Sequence, residues 1–397
     1  MRKNYLYYSI ASALPAALGF IIAIFLSRNI TTEDYGYLGV FAMILYVVEP
    51  LLFFFNHGLL ELKFVKLDDD SYSNYKLKYI NFGLVNFLII LVVFIILSFL
   101  FKDYTFLLLI IPFIALTRMF LKIVWMEFIQ SKKAKEYAFS FLTFSLLIFG
   151  LTLVLVGYFD MAWEGRLISL LLPEVFIVIY FFYDIKWHFL KYTKEELSSV
   201  VKFGVPLFIA LGGGWLLSES DKFIVLKLID LSSVGIYTFA YLIGRIMIIV
   251  NQPIMQILRP IYYSNLRDGI LSKRKHIRNI ILFTVVVFSI AILINSLLVY
   301  FIELIPESYR LGLDVVEIIV YAFACFGVYQ LSFTVLDYYK MNTLKTKLFY
   351  LGAFINVAFS VAFINNLGIL APAYGTLLGF FVIAIFSIFY SLKYLKL

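Results

Sequence analysis

Four charged side chains fall deep inside apolar stretches: Glu49, Arg118, Glu174 and Arg245. A charge near the centre of a bilayer costs at least about 2.5–3.5 kcal/mol on insertion scales, so each calls for a cavity or a partner. Lys122 follows Arg118 by one helical turn and shares its face, because positions four apart align on a helix. Arg118, Lys122 and Arg245 could together form a cationic zone for a diphosphate. Guanidinium groups bind phosphate oxygens bidentately, and an ammonium adds a point charge. The other use is structural, with Glu49 and Glu174 as ion-pair partners of the arginines and Lys122 snorkelling inward. Arg28, Arg166 and Lys222 lie nearer the ends of their stretches, where they could receive an anionic head group or simply snorkel. Glu49, Glu174 and Asp221 are the candidates for proton or sodium coupling, since a carboxyl in a low-dielectric cavity can exchange its charge for a proton. Asp221 could equally pair with the adjacent Lys222.

The elements that hold these groups are long and apolar. The chain is 63% hydrophobic and 15% charged, with a mean hydropathy of +0.96; a soluble chain carries about a quarter charged residues. Crossing the hydrocarbon core takes about 20 apolar residues. Twelve spans are expected, over 5–27, 36–60, 79–101, 104–129, 137–158, 162–183, 200–226, 233–258, 279–304, 312–338, 346–365 and 368–390. Backbone groups in lipid must be satisfied internally, so the spans are helices. Barrel strands would alternate polar and apolar residues, and the run Phe87–Leu97 does not. The expected fold class is an all-α polytopic membrane protein.

Lysine and arginine orient the spans. With the N-terminus inside, the inner loops and tails hold 24 of the 33 basic residues. They cluster at Lys63–Lys78, Lys132–Lys135, Lys186–Lys202, Arg259–Arg278, Lys340–Lys347 and Lys393–Lys396, with Arg2 and Lys3 at the start. Both termini are therefore expected in the cytoplasm. The same bias accounts for the net charge of +8 without a nucleic-acid partner. The longest connectors, 61–78, 184–199 and 259–278, are all inner ones, which argues against a membrane polymerase or glycosyltransferase with an outer active-site loop. Glu33 and Asp34 are expected to sit in the first turn of the second span, with Thr31 as its cap. His57, His188 and His276 stand at or beyond inner helix ends. No His/Cys cluster offers a metal site and no phosphate-binding loop offers a nucleotide site, so no cofactor is expected. The single cysteine, Cys325, excludes a disulfide framework.

The two halves echo each other. Pro15 and Gly19 in the first span correspond to Pro206 and Gly212-Gly213-Gly214 in the seventh. Arg28 then corresponds to Lys222, Tyr35-Gly36-Tyr37 to Gly235-Ile236-Tyr237, and Pro50 to Pro253. The expected domains are two six-helix bundles, 1–190 and 191–397, related by a pseudo-two-fold axis along the membrane normal. Such parallel repeats recur in transporters, with the substrate held near mid-membrane. Rocking of the halves, hinged near Pro15, Pro50, Pro206 and Pro253, would give alternating access.

Leu26-Ser27-Arg28 followed by Glu33-Asp34-Tyr35-Gly36-Tyr37 resembles the loop after the first helix of Wzx-type polysaccharide (O-antigen) repeat-unit flippases of the MOP exporter superfamily. Ser220-Asp221-Lys222-Phe223-Ile224 and Val234-Gly235-Ile236-Tyr237-Thr238-Phe239-Ala240-Tyr241 resemble the start of that family's second half. Gly368-Ile369-Leu370-Ala371-Pro372-Ala373-Tyr374-Gly375-Thr376 is similar to its entry into the last helix. Lys222 stands where many members carry Arg, and Pro372 interrupts the last motif. The resemblance implies a flippase for polyprenyl-diphosphate-linked oligosaccharide in a bacterial inner membrane, as in lipopolysaccharide assembly, with H+ or Na+ as the candidate coupling ion. Membrane lipids, a polysaccharide polymerase and chain-length proteins are the implied partners. The alternative within the superfamily is a multidrug or cation antiporter, which would carry a mainly acidic cavity.

Overall fold

The long apolar runs do become helices. The computed structural model describes residues 2–183 and 187–395, without the side chains of residues 2–13, 299 and 301. Lys186 and Lys396 lie outside the described residues, as do the side chains of Arg2 and Lys3. Eleven stretches among the described residues are long and apolar enough to cross a membrane. They coincide with the second to twelfth expected spans. The first expected span coincides with α1 (Arg2–Asn29), whose described apolar part is Leu14–Asn29.

The chain divides into two compact units. The first comprises Met1–Ile30 and Val40–Leu211. It holds α1, α2 (Thr32–Leu52) from Val40 onward, α3 (His57–Lys66), α4 (Asp69–Leu100) and α5 (Thr105–Gln130). It continues through α6 (Ala134–Thr152), a π-helical stretch (Leu153–Tyr158), α7 (Ala162–Phe182) and α8 (Lys194–Ser218) as far as Leu211. Helix α5 is central and packs on α3, α4, α6 and α7. Its Leu107, Ile111, Ile114, Met119 and Ile123 are fully buried.

The second unit comprises Thr31–Gly39 and Gly212–Leu397. It holds the end of α8, then α9 (Ser220–Leu228), α10 (Leu231–Gly244), α11 (Ile246–Arg267), α12 (Lys273–Phe301), α13 (Leu313–Tyr338), α14 (Asn342–Leu367) and α15 (Leu370–Tyr394). Helix α13 packs on α10, α11, α12 and α15. It is apolar on every side, as a helix surrounded by others must be.

Polar residues mark the helix ends. Asp68 and Asp230 accept hydrogen bonds from the backbone N–H of Ser71 and Ser233, at 2.9 and 2.6 Å. Thr31 and Asp34 form a reciprocal cap at α2: Asp34 N–H donates to Thr31 Oγ1, and Thr31 N–H to Asp34 Oδ2, each at 3.1 Å. These bonds satisfy N–H groups that the first turn leaves without partners. At the other end, α5 and α13 close alike. Lys132 and Lys340 adopt left-handed backbone, and the next residue's N–H returns to the carbonyl of Phe128 or Leu336. Both helices therefore stop in the same kind of αL cap, an echo between the fourth and tenth spans.

Three spans expected to be continuous are broken. In the second, α2 ends at Leu52 and α3 begins at His57, with Phe54 and Phe55 at φ 48 and 61°. Pro50 lies just upstream and cannot donate to the ladder. The freed carbonyls are met by amides: Asn86 Nδ2 donates to Leu52 O at 2.8 Å, and Asn56 Nδ2 to Phe54 O at 2.8 Å. The seventh span breaks at Glu219, where Asn356 Nδ2 reaches Leu217 O at 3.2 Å. The eighth breaks at Arg245. Pro15, Pro206 and Pro253 sit inside unbroken helices. Of the expected hinges, only Pro50 adjoins an interruption. Irregular backbone at membrane depth persists where protein satisfies it, and asparagine does that here.

Candidate functional site

The first unit carries a cluster of four charges at mid-span. Glu49 comes from α2, Arg118 and Lys122 from α5, and Glu174 from α7. Arg118 Nε donates to Glu174 Oε1 at 3.0 Å, and its Nη1 lies 3.5 Å from Glu49 Oε2. Lys122 Nζ pairs with Glu49 Oε1 and sits 5.6 Å from the centre of the Phe53 ring. The Thr117 hydroxyl donates to the second oxygen of Glu174. Glu174 is completely buried, whereas the side chains of Arg118 and Lys122 are 30% and 39% exposed.

Arg118 and Lys122 therefore do not form a purely cationic zone. Their charges are matched by Glu49 and Glu174, and Lys122 turns to Glu49 rather than to the interface. The pairing also has a graded strength. Glu174 holds Nε in a dry environment, where a charge-assisted hydrogen bond is strong. Glu49 holds the guanidinium tip only loosely, at 3.5 Å. The tip of Arg118 and the Lys122 ammonium are thus cations whose shared counter-charge is a single carboxylate. An anion that displaced Glu49 would meet three donors in one patch.

The second unit carries a different construction around Asp221. This carboxylate is fully buried at the start of α9. Tyr237 Oη donates to its Oδ2 at 2.7 Å, Thr376 Oγ1 to the same oxygen at 2.6 Å, and Asn356 Nδ2 to Oδ1 at 2.8 Å. Ser360 Oγ lies 3.1 Å from Asn356 Oδ1. Lys222 does not pair with its neighbour. Its ammonium, also buried, bonds Glu219 Oε2 at 2.6 Å and stands 4.9 Å from the Tyr241 ring centre. The expected Asp221–Lys222 pair is thus replaced by Glu219–Lys222, because residues three apart on a helical turn face each other and adjacent ones do not.

The remaining candidates are scattered. Arg245 belongs to the second unit and is exposed at the break after α10. Arg166 donates to Thr152 Oγ1 at 2.8 Å, beside the π-helical stretch. Arg28 is exposed in the last turn of α1. Thr117, Glu219, Asn356 and Ser360 were not singled out from the sequence, and Tyr237 and Thr376 only as members of the quoted motifs. Asn356 and Ser360 carried a readable signal, being polar residues four apart in an apolar helix. Among the described residues, no group of three or more His, Cys, Asp or Glu side chains could hold a metal ion.

Helical units of this kind define a class of multi-pass membrane protein. A multidrug resistance MATE family transporter of the MOP superfamily, in an inward-facing conformation, matches with a TM-score of 0.75 at 12% identity, over 98% of this chain and 97% of that one. The lipid II flippase MurJ, in an inward closed conformation, matches with a TM-score of 0.67 at 15% identity, over 98% and 87%. The fold is therefore the one that these two solved structures share. Residues 1–265 match the family described as polysaccharide biosynthesis protein, and the chain belongs to that family. It is also similar to an uncharacterised membrane protein of Methanocaldococcus jannaschii, 21% identical over 273 residues, 64% of this chain. The match spans about half, 52%, of that relative's length.

Proposed function

We propose that the protein is a flippase that moves polyprenyl-diphosphate-linked oligosaccharide from the cytoplasmic to the outer leaflet of a bacterial inner membrane by alternating access. The observation that carries this reading is the Glu49–Arg118–Lys122–Glu174 cluster in a chain of a polysaccharide-biosynthesis family. A diphosphate cannot enter hydrocarbon without compensating charge. Arg118, fixed from behind by Glu174, offers its guanidinium tip, and Lys122 offers an ammonium beside it. Glu49 competes with the diphosphate for both. Binding is favoured when Glu49 swings away, and Glu49 is the proposed ion-coupling carboxylate of the first unit.

Arg245 is proposed as a further phosphate contact, and Arg28, Arg166 and Lys222 as weaker ones. The buried Asp221 is the proposed ion-coupling carboxylate of the second unit, since its oxygens are fixed by neutral donors rather than by a cation. No covalent chemistry is required of any of these groups. The test is complementation of a deletion strain by Arg118→Lys and Lys122→Met variants. Export should fall strongly in both, because a lysine at 118 keeps the charge but loses the bidentate fork. Full export by both would remove the cluster from the transport path. The second reading, a drug antiporter, draws on the buried carboxylates Glu174 and Asp221; it predicts drug hypersensitivity in the same deletion strain with no accumulated lipid-linked sugar.

A further inference from the structure

Helix α12, in the second unit, has two unlike faces. His276, Ile280, Phe283, Val287 and Ala291 are buried. They recur every three or four residues, so they form one stripe turned to the protein. Arg274, Arg278, Ile281 and Val285 recur at the same spacing on the opposite side. Both arginines are exposed, and Ile281, Leu282 and Val285 are 56%, 58% and 59% exposed. On a membrane-spanning helix such an apolar stripe is covered by acyl chains, which are as apolar as leucine. Two arginines one turn apart, about 6 Å along the axis, therefore head a lipid-facing stripe.

The segment that carries them is tied down. Gly269 adopts left-handed backbone, and the Asn265 carbonyl accepts from the N–H groups of Ile270 and Leu271 at 2.8 and 3.1 Å. Ser272 Oγ accepts from Lys275 N–H at 3.3 Å. His276 Nε2 lies 2.9 Å from Ser391 Oγ of α15, and its ring meets Tyr262 of α11 edge-on. The charge of the arginines is unmatched within the chain. The first turn of α12 holds no acidic residue, and Asp268, in the preceding turn, bonds Arg267 at 2.9 Å. Among the described residues, neither Arg274 nor Arg278 makes an ion pair. Like charges four apart on a helix repel, and the helix dipole disfavours cations at this end. Their counter-charge comes from outside the chain.

We propose that this edge of α12 binds one anionic phospholipid, with its phosphodiester between Arg274 and Arg278 and an acyl chain along Ile281, Leu282 and Val285. Guanidinium groups take phosphate oxygens bidentately, and basic clusters at the end of a membrane span attract anionic lipids. Free phosphate would leave the stripe uncovered, and a zwitterionic lipid brings its own ammonium. The anionic phospholipid uses both parts of the site. With the orientation read from the basic loops, it lies in the inner leaflet. The proposal does not depend on what the protein transports.

The test is titration of the purified chain in neutral detergent with phosphatidylglycerol and, separately, with phosphatidylcholine. Native mass spectrometry reads the affinity for the first bound lipid. Phosphatidylglycerol should bind the tighter. Arg274→Gln/Arg278→Gln should weaken it by about 30-fold, from about fivefold for each cation beside an anionic lipid, and leave phosphatidylcholine unchanged. Lys133→Gln/Lys135→Gln removes the same charge from the exposed start of α6 and should change the affinity by less than about twofold, since exposed charges at a distance are screened. Equal losses in the two double variants would reduce the effect to general surface charge and overturn the site. So would parent-like binding by Arg274→Gln/Arg278→Gln. Inorganic phosphate at the same concentration should not compete, and displacement by it overturns the lipid assignment. A second readout needs only the unsubstituted chain. Phosphatidylglycerol with a photoreactive acyl chain should label 281–285, and unlabelled phosphatidylglycerol, but not phosphatidylcholine, should suppress the labelling. Labelling spread evenly over the spans overturns the proposal even if the arginine variant fails to fold.

Discussion

Removing Arg118 alone should cost far more stability than removing it together with the charge it neutralises. Glu174 is completely buried and has Arg118 as its cation, at 3.0 Å from Nε. Arg118→Ala leaves that carboxylate with only the Thr117 hydroxyl. Breaking a buried pair by deleting one partner costs about 3–5 kcal/mol. In a Glu174→Gln background the same change leaves a neutral amide, and the cost falls to that of a disturbed hydrogen bond, about 1–2 kcal/mol. The coupling between the two sites is then about 2–3 kcal/mol, within the range for residues in direct contact. The assay is a double-mutant cycle on equilibrium unfolding in mixed micelles, reading the shift in the unfolding midpoint of the purified protein. Additivity within about 0.5 kcal/mol would refute the reasoning, because independent sites behave that way. The same numbers warn that lost export in Arg118→Ala reports misfolding as readily as lost binding. Arg118→Lys is the cleaner probe of transport.

Three further outcomes follow from the same geometry. Asn86→Ala removes the amide that serves the Leu52 carbonyl at the break of the second span, and should lower stability by about 1–3 kcal/mol in thermal unfolding. Lys222→Met should destabilise by about 3–5 kcal/mol by stranding Glu219, with most of the loss recovered in Lys222→Met/Glu219→Gln. Asp221→Asn sets an amide against three donors and should cost about 2 kcal/mol; if Asp221 couples an ion, the remaining export should also lose its dependence on the ion gradient, measured with ionophores.

The spans were legible because nothing but a helix satisfies 20 apolar residues in lipid, and the cap at Thr31 because its partner Asp34 is three residues away. The breaks were not legible. Pro50 announces a disturbance, but the interruption falls at Phe53–Asn56, and the amide that makes it tolerable is Asn86, on another helix. The pairing of Arg118 with Glu174 was readable as an alternative from equal depth alone. The surroundings of Asp221 were not, because Asn356 and Thr376 arrive from α14 and α15, more than a hundred residues on. Nor does hydropathy reveal that Thr31–Gly39 packs with the second unit. Pro15, Pro206 and Pro253 leave their helices unbroken, because a helix packed in a bundle can absorb a proline.

The central claim, movement of a lipid-linked oligosaccharide across the bilayer, is tested most directly by its sidedness in cells. A strain lacking the protein is converted to spheroplasts, and the lipid-diphosphate-linked sugars are probed with a membrane-impermeant reagent from outside. The account predicts that the oligosaccharide accumulates and stays inaccessible, and that it becomes accessible when the unsubstituted chain is restored but not when Arg118→Lys is supplied. Normal outer-leaflet oligosaccharide in the deletion strain, with no accumulation inside, would contradict it.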